Sequence, residues 1–173
     1  MSILDTVLNW EPMSRIRRNH ALEHATLQIL SQKNPSLRMA GYSDTGGFWV
    51  LGDVPLDDLQ QAVDEAQTRL RGGEHRLAIH PFCGTNFVTT GLVAGSFAWL
   101  GMLGSGRSAR SRMDRWPIVV SLVTLALIMA QPLGPLVQSR ITTNAKLDNL
   151  KVTSIMHVNN RGDTPVRRVS TRF

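Results

Sequence analysis

Three side chains in the segment Asn19–Thr26 have the types and the spacing of a metal site. His20 and His24 are four residues apart and Glu23 lies three after His20, so on a helix all three share one face. In this H-x-x-E-H order two imidazoles can hold a divalent ion while the carboxylate serves a water bound to it. A second cluster, His80-Pro81-Phe82-Cys83-Gly84-Thr85-Asn86, adds another imidazole and the only cysteine of the chain.

Two ways of completing the site are open. His20, His24 and Cys83 would leave one position of a tetrahedral ion free for water, as catalysis requires. Adding His80 would close the tetrahedron and make the site structural. Cys83 would ligate as the thiolate. Zn²⁺ is the expected ion, with metal-assisted hydrolysis as the chemistry and Glu23 as the base. The plainer alternative is that the histidines hydrogen-bond Glu23 and backbone carbonyls, with Cys83 a small buried apolar residue. Cys83 as a nucleophile with His80 as its base is a weaker reading, because the two are three apart across a proline and no third group orients them. His75 and His157 read as ordinary polar positions. Haem attachment is not indicated: there is no C-x-x-C-H motif and no histidine inside the apolar segments.

The elements that must hold these residues can be read in outline. Met1–Trp10 is a short amphipathic piece with Ile3, Leu4, Val7 and Leu8 on one face. Ser14–Gln32 has helical periodicity, with Ile16, His20, Glu23, His24, Leu27, Leu30 and Ser31 forming one stripe. The polar triplet thus lies within the buried face, where unpartnered groups are costly. Leu37–Tyr42 and Phe48–Leu51 read as strands around a Ser43–Gly47 turn. A second helix starts near Asp53 and Pro55, carries Leu56, Leu59, Val63, Ala66 and Leu70, and stops at Gly72-Gly73. Arg76–His80 reads as a third strand. The expected fold is α+β, an α-β-β-α-β domain over residues 1–85. Leu150–Val158 and Val166–Phe173, joined by an Asn159–Asp163 turn, make a C-terminal β-hairpin over residues 140–173 that is expected to join the same sheet.

Between these parts, residues 86–139 read as a two-helix transmembrane hairpin. Asn86–Leu103 and Trp116–Ser139 carry no charge and are near the ~20 residues that cross a bilayer. Thr85 or Asn86 is expected to cap the first helix. Gly91 and Gly95 permit close contact with a partner helix, Pro117 suits a first turn, and Pro132 and Pro135 kink or end the second helix. No secretory signal is expected from the N-terminal sequence. The 173 residues carry a net charge of +6 and a pI of about 10.7. Arg107, Arg110, Arg112 and Arg115 crowd the loop between the apolar segments, a pattern that fits anionic lipid headgroups and not nucleic acid. A single cysteine excludes an intrachain disulfide.

Two resemblances follow from these motifs. His20-Ala21-Leu22-Glu23-His24 is similar to the motif of the inverzincin peptidases, the insulysin and pitrilysin group. That group takes its third ligand from a glutamate far downstream; at that distance this chain has an apolar span without acids, and Glu65 is the nearest substitute. His20–Thr26 (HALEHAT) together with His80–Asn86 (HPxCGTN), a glycine-rich turn and two apolar helices resembles a bacterial two-helix membrane-protein family with no assigned activity. That resemblance covers most of the chain and implies an inner, cytoplasmic-type membrane. The arginine-rich loop argues for one orientation and the absence of a signal for the other; the soluble domain is assigned to the cytoplasmic side. The expected partners are the lipid bilayer and either a larger membrane complex or a second copy through the Gly91/Gly95 face. The competing function is a non-catalytic accessory or assembly subunit with a structural His/Cys site.

Overall fold

The computed structural model describes residues 3–106, 108–161 and 164–173. Arg107 of the expected basic loop and Gly162 and Asp163 of the expected turn lie outside the described residues, as do the side chains of Leu4, Asn159, Asn160 and Arg161. The chain is mixed α/β and divides into two compact units, residues 1–80 with 139–173, and residues 81–138.

The first unit is built on helix α2 (Glu11–Lys33), which follows the short α1 (Ile3–Asn9). Pro12 sits in the first turn of α2, where no amide is needed, and Pro35 forces Asn34 out of the helical region at the other end. Helix α3 (Leu56–Arg71) packs on α2; its first turn holds Asp57 and Asp58 and its last turn Arg69 and Arg71, matching the helix dipole at both ends. Strands β1 (Ala40–Asp44) and β2 (Gly47–Leu51) form a hairpin. The C-terminal β3 (Lys151–Arg161) and β4 (Thr164–Arg172) form another, and β4 pairs with β2, so the antiparallel sheet runs β1-β2-β4-β3. The C-terminal hairpin therefore joins the N-terminal sheet. Gly47 makes that junction fit: its φ is 140°, and a Cβ there would lie 2.0 Å from the Val169 carbonyl oxygen. The core gathers Leu22, Ile29 and Leu30 of α2, Leu59, Val63 and Leu70 of α3, and Phe48, Val50 and Val169 of the sheet.

Two expectations are corrected here. Helix α2 is not a one-sided stripe. Residues 21–27 are all buried and Ser31 is exposed, because α3, the sheet and the segment after α3 pack around it. Arg76–His80 is not a strand. His75–Ala78 forms a single 3₁₀ turn. Its carbonyls have no sheet partner because α2 takes them: Gln28 Nε2 donates to Leu77 and Ile79 (2.8 and 3.0 Å), and His24 Nδ1 bonds the Ala78 carbonyl (2.8 Å).

The second unit contains α4 (Gly84–Met102), α5 (Ala109–Met113), α6 (Trp116–Ala130) and α7 (Leu133–Val137). Helices α4 and α6 pack together, and Gly101 is one of the contact points: a Cβ there would stand 3.0 Å from Val119 and 3.2 Å from Leu122. Gly91 and Gly95 have no other atom of the described residues within 4 Å of their Cβ positions. Among the described residues no single helix is long and apolar enough to cross a membrane. One bent pair, Trp116–Ala130 with Leu133–Thr142, passes by length and composition and turns by 48° at its break; Pro132 supplies the break. The cap of α4 also differs from expectation. The helix begins at Gly84, so Cys83 is its N-cap and accepts from the Thr85 amide at 3.5 Å. Asn86 is used otherwise: it donates to the Pro81 carbonyl (2.6 Å) and accepts from the buried Gln138 (2.6 Å).

The end of the β1–β2 hairpin is closed by Asp44. Its carboxylate accepts both terminal nitrogens of Arg168 at 2.8 Å, the Trp49 indole at 3.0 Å and the Gly46 amide at 2.8 Å. Burial opposes its ionisation, but these donors, Arg168 foremost, outweigh burial and hold the carboxyl below its ordinary value. The stability it contributes is complete above pH 3.8 and is lost as pH falls through the lower folded value. Asp44→Ala should cost about 1–3 kcal/mol at neutral pH and flatten the acid limb of the unfolding curve between pH 4 and 2, as read by circular dichroism.

Candidate metal centre

His24 is buried on the inner face of α2, and its Nδ1 lies 2.8 Å from the Ala78 carbonyl. One turn earlier, His20 places Nδ1 3.0 Å from the Thr142 carbonyl. A carbonyl can only accept, so each Nδ1 carries a proton and Nε2 is the ring nitrogen turned to other partners. This is the arrangement in which a backbone carbonyl fixes the tautomer of a metal-binding histidine. The two rings meet edge-on, centroids 4.1 Å apart.

One ligand atom from each of His20, His24 and Cys83 lies within 4.8 Å of the others. A His/His/Cys group able to hold a metal ion is thus present. The Cys83 sulfur also faces the amide end of α4, the positive end of a helix, which favours a negatively charged sulfur. The His80 ring stands beside His24 with centroids 5.5 Å apart. Burial, and then the positive charges His24 and His20 would carry, pull its pKa down to about 4, so His80 is neutral at ordinary pH.

Glu23 faces strand β1. Its Oε2 accepts from the Ser43 hydroxyl, and it is almost wholly buried. Burial pushes its carboxyl above the ordinary range, while Ser43 and His20 pull the other way. Gly41 makes room for it: a Cβ at that position would lie 2.2 Å from Glu23 Oε1. Glu65, the substitute acid of the peptidase comparison, is on α3 and pairs with Lys33 and Arg69.

Several residues that build this centre carry no motif. Asn19 is fully buried and bridges Asp44 O and Thr171 Oγ1 (both 2.8 Å), which ties α2 to both hairpins beside His20. Arg17 is buried and donates to the carbonyls of Leu8, Arg140 and Thr143 (3.2, 3.1 and 3.2 Å), while its own carbonyl accepts from the Asn144 amide. It thereby holds the segment that offers Thr142 to His20. Ser43 and Gly41 read as turn and strand residues in the sequence. Their one available signal was that the buried carboxylate of Glu23 needed a donor and space.

Residues 15–155 match a family described as a domain of unknown function (DUF6391). An uncharacterized protein of Picosynechococcus sp. (strain ATCC 27264 / PCC 7002 / PR-6) is 33% identical over 190 residues, covering 98% of this chain and 85% of that protein. No solved structure matches.

The fit of Glu23 against β1 is open to a direct test. Gly41→Ala should destabilise the chain by about 1–3 kcal/mol through overpacking. In a double-mutant cycle, Glu23→Ala should recover most of that loss, because it removes the atoms that the new methyl group meets. Additive effects of the two substitutions would contradict the contact.

Proposed function

The chain belongs to this family of unknown function, and from the geometry of its His/Cys group we propose that it is a membrane-associated protein binding one Zn²⁺ through His20, His24 and Cys83. The observation that carries the reading is the pair of carbonyl-oriented imidazoles, Thr142 behind His20 and Ala78 behind His24, gathered with the cysteine within 4.8 Å. Two nitrogens and a thiolate suit a borderline-soft ion such as Zn²⁺. Three protein ligands leave a fourth position for water, whose acidity a bound Zn²⁺ raises. Glu23, on the same helix and with its carboxyl shifted upward by burial, would serve as the proton acceptor for such a water in this reading. The reaction class is metal-assisted, peptidase-like hydrolysis.

A second reading has its own support. Ser43 and Gly41 hold Glu23 firmly against β1, and His80 stands next to His24 as a fourth candidate ligand. In this reading the site is a structural staple of an accessory or assembly subunit, and the open Gly91/Gly95 face of α4 takes a partner helix.

Purified protein should contain about one zinc per chain. Cobalt substitution should give a thiolate-to-metal charge-transfer band that disappears in Cys83→Ser, and His20→Ala or His24→Ala should reduce retained metal at least about tenfold. A chain that neither carries nor takes up a transition metal would end both readings. Glu23→Gln separates them: the hydrolase keeps its metal and loses turnover, whereas the staple keeps both its metal and its partner.

The membrane assignment rests on the second unit, which exposes Phe87, Leu92, Trp99, Trp116, Ile118 and Ile128 among other large apolar side chains. So much exposed apolar surface calls for lipid or a partner. Trp99 and Trp116 lie near the α4 and α6 ends that flank Arg110, Arg112 and Arg115, the composition of a headgroup boundary. Expressed in a bacterial host, the chain should remain with the inner membrane after alkaline extraction. Recovery as a monomer in the detergent-free supernatant would refute the assignment.

A further inference from the structure

The first unit carries a cavity of about 300 Å³ lined by the segment after α3 and by the segment leading to β3. Its charged lining is entirely basic or neutral: Arg76 and Lys146, with His75 beside them, and Ser139, Thr143 and Asn144 supplying polar groups. Among the described residues, neither Arg76 nor Lys146 has a carboxylate partner; the neighbouring acids are engaged elsewhere, Glu74 with Arg69 and Asp148 with Arg18. Two uncompensated cations at one concavity make a local positive field, and the Asn144 amide on the same wall offers a short-range donor. That is the chemistry that recognises a phosphate.

We propose that this cavity binds a phosphate group, either that of a small phosphate ester or that of an anionic lipid headgroup. Arg76 supplies a planar donor pair, Lys146 a point charge, and the Asn144 side-chain amide a neutral donor. The lining holds none of His20, His24 and Cys83. The cavity nevertheless shares its walls with the metal centre: Ala78 lines it and gives its carbonyl to His24, and Thr143 lines it directly after Thr142, whose carbonyl orients His20.

The test uses the full chain in neutral detergent or reconstituted form, with the double variant Arg76→Gln/Lys146→Gln beside the wild type. Glycerol 3-phosphate is titrated by calorimetry, and association is measured with phosphatidylcholine vesicles with and without phosphatidylglycerol. Metal content and thermal midpoint are recorded for both proteins to show that the variant is folded. Saturable binding of glycerol 3-phosphate, weakened at least tenfold in the variant, supports the site with a soluble ester as ligand. A preference for phosphatidylglycerol vesicles that falls at least tenfold in the variant, without binding of the free ester, supports it with lipid as ligand. No binding of either probe, or binding that the variant retains, overturns the proposal. Should the double variant fail to fold, Lys146→Gln alone, at an exposed position, must weaken binding at least threefold.

Discussion

A polar side chain on a helix that is buried on every side must find a hydrogen-bond partner inside the protein, and most of this structure answers that requirement for α2. Over residues 17–28 the helix buries two arginines, an asparagine, two histidines, a glutamate, a threonine and a glutamine, wholly or in part. Leaving such groups unpaired would cost about 1–3 kcal/mol each. Most of the acceptors are main-chain carbonyls, and regular helices and sheets have already used theirs. Leu8 of α1 and Asp44 of β1 each give one, but most of the carbonyls that serve α2 come from two short segments outside the main helices and strands: the 3₁₀ turn with Ile79 after it, and the stretch around Arg140–Thr143. These two segments are shaped by what the helix needs.

The same requirement explains which parts of the fold could be read from the sequence. The helices α2 and α3, the β1–β2 hairpin and the C-terminal hairpin follow from periodicity, proline placement and glycine turns, which are local signals. That His20, Glu23 and His24 are buried also follows, since they fall among apolar residues. The identity of their partners was not legible. Thr142 is 122 residues from His20, and nothing in its side chain marks the carbonyl as useful. Arg76–His80 has a strand-like composition, but its carbonyls are claimed by Gln28 and His24, a long-range effect that overrides a weak local preference. The HALEHAT and HPxCGTN motifs are both rich in ligating atoms, and between them they supply the His/His/Cys group that could hold a metal ion. The sequence places Glu23 on one face with His20 and His24, but its contacts with Ser43 and Gly41 come from a strand with no chemical motif.

The second unit shows a similar limit. The charge-free runs after Asn86 and Trp116 were visible, and so were the prolines that break the second of them. Counting apolar residues does not show where a helix is interrupted, and Ala130 ends α6 well before Ser139. Nor did the glycine spacing reveal which glycine brings α4 and α6 together. Gly101, outside the GxxxG pair, does so.

The sheet order gives the first unit a timetable. Strand β2 lies between β1 and β4, so the sheet on which α2 rests is incomplete until β4 has been made. Asn19 waits for Thr171, Arg17 for Thr143 and His20 for Thr142. A ribosome-bound chain that has already produced both His/Cys motifs still lacks the carbonyl that sets the His20 tautomer. It also lacks the strand that closes the sheet. The first unit must therefore hold its opening 80 residues in an unfinished state while the apolar helices of the second unit are synthesised, and it matures only once the chain returns.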